Sequence, residues 1–162
     1  MKSIDVKLRR LEKNDAFHSV IWRNDPDIWT ATISSPTKKI KITDELDWIE
    51  KVLKEKNSKR FAIEADGKYV GNVQLTNIKN EESYFGIFIG DKSFWGKGVG
   101  KIATKLILNF AFSKLLLNKV KLKVRKENIA AFNIYRKTGF ETQSVQDGVI
   151  FMELKRCDFL DE

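Results

Sequence analysis

The sequence predicts an α/β (α+β) fold: one domain, residues 1–162, in which helices flank a mixed, mostly antiparallel sheet. Three observations carry that reading. Asp66-Gly67 and Asp147-Gly148 each lie between a pair of runs rich in strand formers, which is the signature of tight hairpins. Residues 84–89 are an almost unbroken apolar run, the pattern of a strand buried at the centre of a sheet. A long helical pattern and then an alternating strand follow that run, which makes a right-handed crossover between parallel strands.

The elements follow in order. Val6 to Leu11 alternates and reads as a first strand. Asn14 or Asp15 caps a helix running toward Arg23, which the turn Asn24-Asp25-Pro26 ends. Thr43 is the expected cap of a second helix. Asp44, Glu45 and Asp47 suit its positive end, Leu46, Ile49, Val52 and Leu53 recur at helical spacing, and Lys54 and Lys56 close it. Phe61 to Ala65 and Tyr69 to Ile78 pair around Asp66-Gly67. After the central strand, the loop from Asp91 to Gly100 opens a long helix with Ile102, Leu106, Ile107, Phe110 and Ala111 marking one face. Val120, Leu122 and Val124 then alternate with Lys119, Lys121, Lys123 and Arg125. Asn128 to Lys137 is a helix ended by Gly139, and Phe140 to Val145 and Val149 to Leu154 form the last hairpin. The expected order is strand, two helices, three strands, helix, strand, helix, two strands.

Composition narrows the function. Lys and Arg outnumber Asp and Glu by 30 to 22, a net charge of +8. That excess suits an anionic partner: a nucleic acid, an acidic membrane surface or a phosphorylated small molecule. The basic residues of the strand at 119–125 alternate onto one face with no interleaved aromatics, so an RNA-reading sheet is not expected and the face reads as solvated. Cys157 is the one cysteine, which excludes an internal disulfide and a Cys-based zinc site and suits a reducing cytoplasm. Met1 to Arg10 has no apolar core of a secretory signal. The apolar stretch from Ile107 to Leu117 is broken by Asn109, Ser113 and Lys114, too short and polar for a bilayer. No metal, membrane or nucleic-acid partner is expected.

The chemistry concentrates in Phe94-Trp95-Gly96-Lys97-Gly98-Val99-Gly100-Lys101, between a buried strand and an amphipathic helix. Glycines let a backbone approach a ligand and take positive φ, and free N–H groups at a helix start attract anions. Lys97 and Lys101 add charge, so a pyrophosphate fits. The alternative is a glycine-rich connection that holds nothing. The spacing Gly-x-Gly-x-Gly is neither a P-loop nor a dinucleotide fingerprint, and the segment after it is basic rather than acidic.

The loop resembles the acyl-CoA loop of the GNAT superfamily of N-acetyltransferases, Gln/Arg-x-x-Gly-x-Gly/Ala. Gly98 and Gly100 fall on its glycines, and Trp95 stands where Gln or Arg is usual. The tryptophan form resembles the branch of ribosomal-protein, polyamine and amino-sugar acetyltransferases. Residues 128–140 are similar to the superfamily's Asn-x-x-Ala-x-x-x-Tyr-x-x-x-Gly-Phe segment, and Trp22-Arg23-Asn24-Asp25-Pro26 to that branch's substrate-side helix end.

The resemblance implies a direct transfer from acetyl-CoA to an amine, along a gap between splayed parallel strands. The coenzyme would be bound by the Phe88-Ile89 backbone, by Gly96, Lys97, Gly98, Val99, Gly100 and Lys101, and by Asn128 and Tyr135. Tyr135 would be the acid for the leaving thiolate; read without the family, it is a core aromatic, and Asn128 a helix cap. Relatives often carry a glutamate where Tyr84 stands, so no base is assigned. Glu81 and Glu82, just upstream, read as solvated turn residues. Trp22, Trp29 and Tyr84 are candidates for the acceptor side, with packing the stronger role for Trp22. His18 and Cys157 read as structural and bystander. The acceptor is a small-molecule or peptide amine: a protein α-amine or an amino sugar, which could be nucleotide-linked. A polyamine ranks below these on charge. The rival classes are a non-catalytic CoA-binding module and a nucleic-acid-binding domain. The last hairpin leaves an edge on which a homodimer could pair.

Overall fold

A computed structural model describes residues 3–30 and 32–160. One seven-stranded sheet runs β1-β2-β3-β4-β5-β7-β6. Its strands are β1 (Val6–Arg10), β2 (Lys59–Ala65), β3 (Lys68–Lys79), β4 (Glu82–Ile89), β5 (Lys119–Arg125), β6 (Glu141–Gln146) and β7 (Val149–Lys155). The helices are α1 (Ala16–Arg23), α2 (Pro26–Trp29), α3 (Ile42–Leu53), α4 (Val99–Ser113) and α5 (Ile129–Thr138). Both predicted hairpins form, and Asp66, Gly67, Asp147 and Gly148 all have positive φ.

The parallel pair is β4 with β5, as the crossover requires. It pairs only Glu82, Ser83 and Tyr84 with Lys119, Val120 and Lys121. Beyond Tyr84 the edge of β4 that faces β5 has no ladder partner, and the sheet opens there.

Two apolar clusters hold the fold. The larger joins α4 and α5 to the sheet through Ile63, Val73, Leu75, Ile107, Leu108, Val120, Tyr135, Met152 and Leu154. The smaller packs α1 and α3 on β2 through Leu11, Ala16, Ile49, Val52 and Ala62. Each large aliphatic side chain fully buried here contributes about 1.5–3 kcal/mol.

Four local expectations are corrected. Asp15 stands at the N-cap of α1 but its side chain makes no capping bond to that helix; it is buried, accepts from Arg9 at 2.7 Å, and accepts from the Glu12 N–H at 2.8 Å, closing the 3-10 turn before α1. Helix α3 begins before Thr43, because Asp44 reaches back to accept from the Lys41 N–H at 2.9 Å. The turn at Asp25-Pro26 is a short third helix, α2: proline's fixed φ suits its first position, and Asp25 accepts from the Asp27 N–H at 3.0 Å. Strand β4 is buried on one face only, since Tyr84 is 39% exposed.

Burial also sets a pH response. Desolvation, the largest cause in each case, raises the phenols of Tyr69 and Tyr135 well above the ordinary value of 10.0. The unfolded chain ionises its tyrosines near 10 while the native state keeps these two neutral. Stability is therefore complete below about pH 10 and declines as pH rises beyond it. Melting temperatures recorded from about pH 9 to 11 should fall, and Tyr135→Phe should flatten that fall.

Candidate active site

The glycine loop is built from the end of β4 outward. Gly90 and Asp91 both donate to the Val70 carbonyl, at 2.8 and 3.1 Å, closing β4 onto β3. Asp91 then accepts from the Ser93 N–H at 3.0 Å and opens a single 3-10 turn over Lys92–Phe94. The indole N–H of Trp95 donates to the Ile89 carbonyl at 2.8 Å. That bond gives a physical reason for tryptophan at this position: it ties the loop to the last residue of the strand.

Gly96 and Gly98 sit at φ of 70° and 82°, a region that costs other L-residues about 1–2 kcal/mol. Gly98 is the N-cap of α4, and the first N–H to find an acceptor there is Ile102, bonded to the Gly98 carbonyl at 3.1 Å. The N–H groups of Val99, Gly100 and Lys101 are thus the open donors of a 15-residue helix. A Cβ on Gly96, Gly98 or Gly100 would meet nothing within 4 Å. The surface over the donors is open, which fits a pyrophosphate. Lys97 holds its ammonium 5.7 Å from the Phe94 ring, beside the loop.

Where β4 and β5 separate lies a cleft of about 930 Å³. Phe85 to Phe88 line one side, Leu122 to Arg125 the other, and Asn128 and Tyr135 come from α5. Tyr135 is 7% exposed and packs edge-on against Phe85, ring centres 5.6 Å apart. Its raised pKa keeps the phenol a proton donor. Asn128 caps α5, accepting from the Ala131 N–H at 3.2 Å, and lines the cleft as well.

Trp29 and Tyr84 reach the cleft; Trp22 does not line it. The Trp22 ring packs on Tyr69 at 4.8 Å and fills the space where a Gly90 side chain would be. Phe88 stands between the two indoles, 6.3 Å from Trp22 and 6.0 Å from Trp29. His18 is exposed, beside Trp22 and Tyr69, and Cys157 is exposed in the last turn. Glu82 belongs to β4 rather than to a turn, and bridges Lys121 at 2.5 Å and Lys119 at 3.3 Å. Lys121 above all lowers its carboxyl pKa, which makes it a poor base. These pairs engage Lys119 and Lys121, so the solvated reading of the strand's basic face is corrected for those two. Arg125 is engaged too, its Nε donating to the Thr32 carbonyl at 2.5 Å.

The sequence reading missed most of the opposite wall: Trp48, Arg60, Asn72 and Gln74 stand there beside Arg23, which it had set in the substrate-side helix end. Its signal was present in β3, where Asn72, Gln74 and Thr76 alternate with Val73 and Leu75. The register sets Arg60, Gln74 and Gly86 abreast on three strands. Among the described residues no group of three or more His, Cys, Asp or Glu could hold a metal, and no helix is long and apolar enough to cross a membrane.

A family model described as acetyltransferase (GNAT) domain matches residues 5–141. The chain belongs to the GNAT acetyltransferase family. This GNAT chain is therefore an acetyl-CoA-dependent N-acetyltransferase. It is 33% identical to spermidine N(1)-acetyltransferase of Escherichia coli K12 over 140 residues, which span 85% of this chain and 74% of that protein. It is 28% identical over 137 residues to acetyltransferase PseH of Campylobacter jejuni strain 81-176, across 85% of this chain and 83% of that protein. The fold matches spermidine N-acetyltransferase from Vibrio cholerae, solved in complex with CoA and spermine. The TM-score is 0.84, over 94% of this chain and 96% of that one, at 23% identity. The polyamine class, ranked last on net charge, thus stands at least level with the others among relatives.

Proposed function

We propose that this acetyltransferase passes the acetyl group directly to a primary amine of a small molecule lodged against the β3 side of the cleft. One observation carries the reading: the strand that ends in the open N–H donors of α4 is the strand that separates from β5. Acetyl-CoA supplies the activated thioester, and the rest falls to the chain. The N–H groups from Gly96 to Lys101 hold the pyrophosphate, and in the Phe88-Ile89 stretch of β4 the Ile89 N–H, which turns away from β3 to the free edge, offers a donor to the thioester carbonyl. Asn128 lines the coenzyme arm. Tyr135 gives its hydroxyl proton to the departing sulfur. No carboxylate takes the amine's proton, and Tyr84 occupies the position where a base would be expected, so water receives it.

Among acceptor classes a polyamine has the most direct support from relatives, the 33% identity to the spermidine enzyme, and an amino sugar is the other reading, through the 28% identity to PseH. Thiol release from acetyl-CoA, measured against spermidine, free and phosphorylated amino sugars and peptides with free α-amines, tests the function. Amine-dependent release is expected with at least one class. In that assay Tyr135→Phe should lower kcat about a hundredfold and leave CoA affinity within about twofold. Tight CoA binding with no release from any amine would mark a binding module instead.

A further inference from the structure

The wall largely missed by the sequence reading has a charge arrangement that acetyl transfer does not call for. Trp48 of α3 holds two guanidinium groups near its ring: Arg23 from the end of α1, with Cζ 4.9 Å from the ring centre, and Arg60 from β2, at 5.5 Å. Both arginines line the cleft. Each is steadied from behind. Arg23 Nε lies 3.4 Å from the buried Glu45 carboxylate. Arg60 lies 3.6 Å from Glu55 and donates to the Gln74 side-chain oxygen. The Nε atoms of both are buried and make no hydrogen bond among the described residues. Lys38, Lys123 and Arg125 face the same space, and no Asp or Glu is among the described residues that line it.

Converging like charges oppose one another. Burial foremost lowers the proton affinity of Arg60; Glu55 partly offsets it, and the Arg23 charge adds a smaller lowering. An anion seated between the arginines removes that opposition, and the planar forks of guanidinium match phosphate and carboxylate oxygens. A wholly cationic acceptor would meet the same groups with nothing to neutralise its charge.

We propose that Arg23 and Arg60, set by Trp48, form an anion subsite of the acceptor site, so that the amine acetylated belongs to a molecule that also carries a phosphate or a carboxylate. The inference rests on the acetyl-transfer reading for what the subsite serves, but its test does not. The protein is first saturated with CoA, which occupies the glycine loop. Binding of inorganic pyrophosphate, glucosamine 6-phosphate, muramic acid, glucosamine and spermidine is then measured by calorimetry. At least one anionic probe should bind about tenfold or more tighter than glucosamine. The phosphate and muramic acid arms tell the two anions apart. The preference should vanish in Arg60→Gln. It should vanish also in Arg23→Gln combined with Glu45→Gln, which removes the buried carboxylate along with its partner. CoA affinity should stay within about twofold in both. Spermidine as the tightest probe, equal binding of charged and neutral sugars, or a preference that survives both variants would overturn the subsite. Because the readout is binding, a failure to release thiol would count against the transfer reading alone.

Discussion

Replacing Gly100 by glutamate is expected to weaken acetyl-CoA binding about a hundredfold or more, while the protein itself melts no earlier than wild type. The two halves of that expectation have separate causes. A Cβ at Gly100 would touch nothing within 4 Å, so the side chain fits. Glutamate is a better helix former than glycine by about 0.5–1 kcal/mol, and its charge is favoured in the first turn of a helix. Yet the carboxylate would stand among the open N–H groups of Val99, Gly100 and Lys101, where the pyrophosphate is proposed to sit, and repel it. Calorimetric titration with CoA and a melting curve check both halves. Unchanged affinity would mean that the diphosphate is held somewhere else.

The second large effect is expected at Gly71. A Cβ there would lie 2.9 Å from Ile89 Cα and closer still to the Phe88 carbonyl oxygen, and both are backbone atoms. No rotamer can relieve such a contact, so β4 must move away from β3. Gly71→Ala should cost about 3 kcal/mol or more in urea unfolding. The shift falls on Phe88 and Ile89, so kcat should drop in the fraction that still folds. A loss below about 1 kcal/mol would show that the strands yield more easily than this packing suggests.

What was legible in the sequence was local. The hairpins at Asp66-Gly67 and Asp147-Gly148 and the turn from β4 into α4 depend on residues adjacent in the chain, and glycine or aspartate at positive φ announces them. The helix starts were less secure, because neighbouring caps compete. Thr43 and Asp44 both suit an N-terminus, and the carboxylate won by reaching Lys41. Pro26 ends one helix and begins another, and a turn signal alone does not separate the two. The Arg23–Trp48–Arg60 group was invisible for a different reason. It joins α1, α3 and β2, and only the register of three strands brings Arg60 and Gln74 to the cleft. The same holds for Glu82, which looked like a turn residue until β5 supplied its lysines.

The short seam between β4 and β5 has a mechanical consequence. Three paired positions, riveted by Glu82 with Lys119 and Lys121, make the only ladder between the two halves of the sheet among the described residues, while at the far end of β5 Arg125 clasps the Thr32 carbonyl of the segment between α2 and α3. Above that seam the two strands run side by side without a ladder, held on one face by the shared core under α4. An occupant of the gap supplies the rungs that the ladder lacks, so its grip and the cohesion of the two half-sheets are a single free energy.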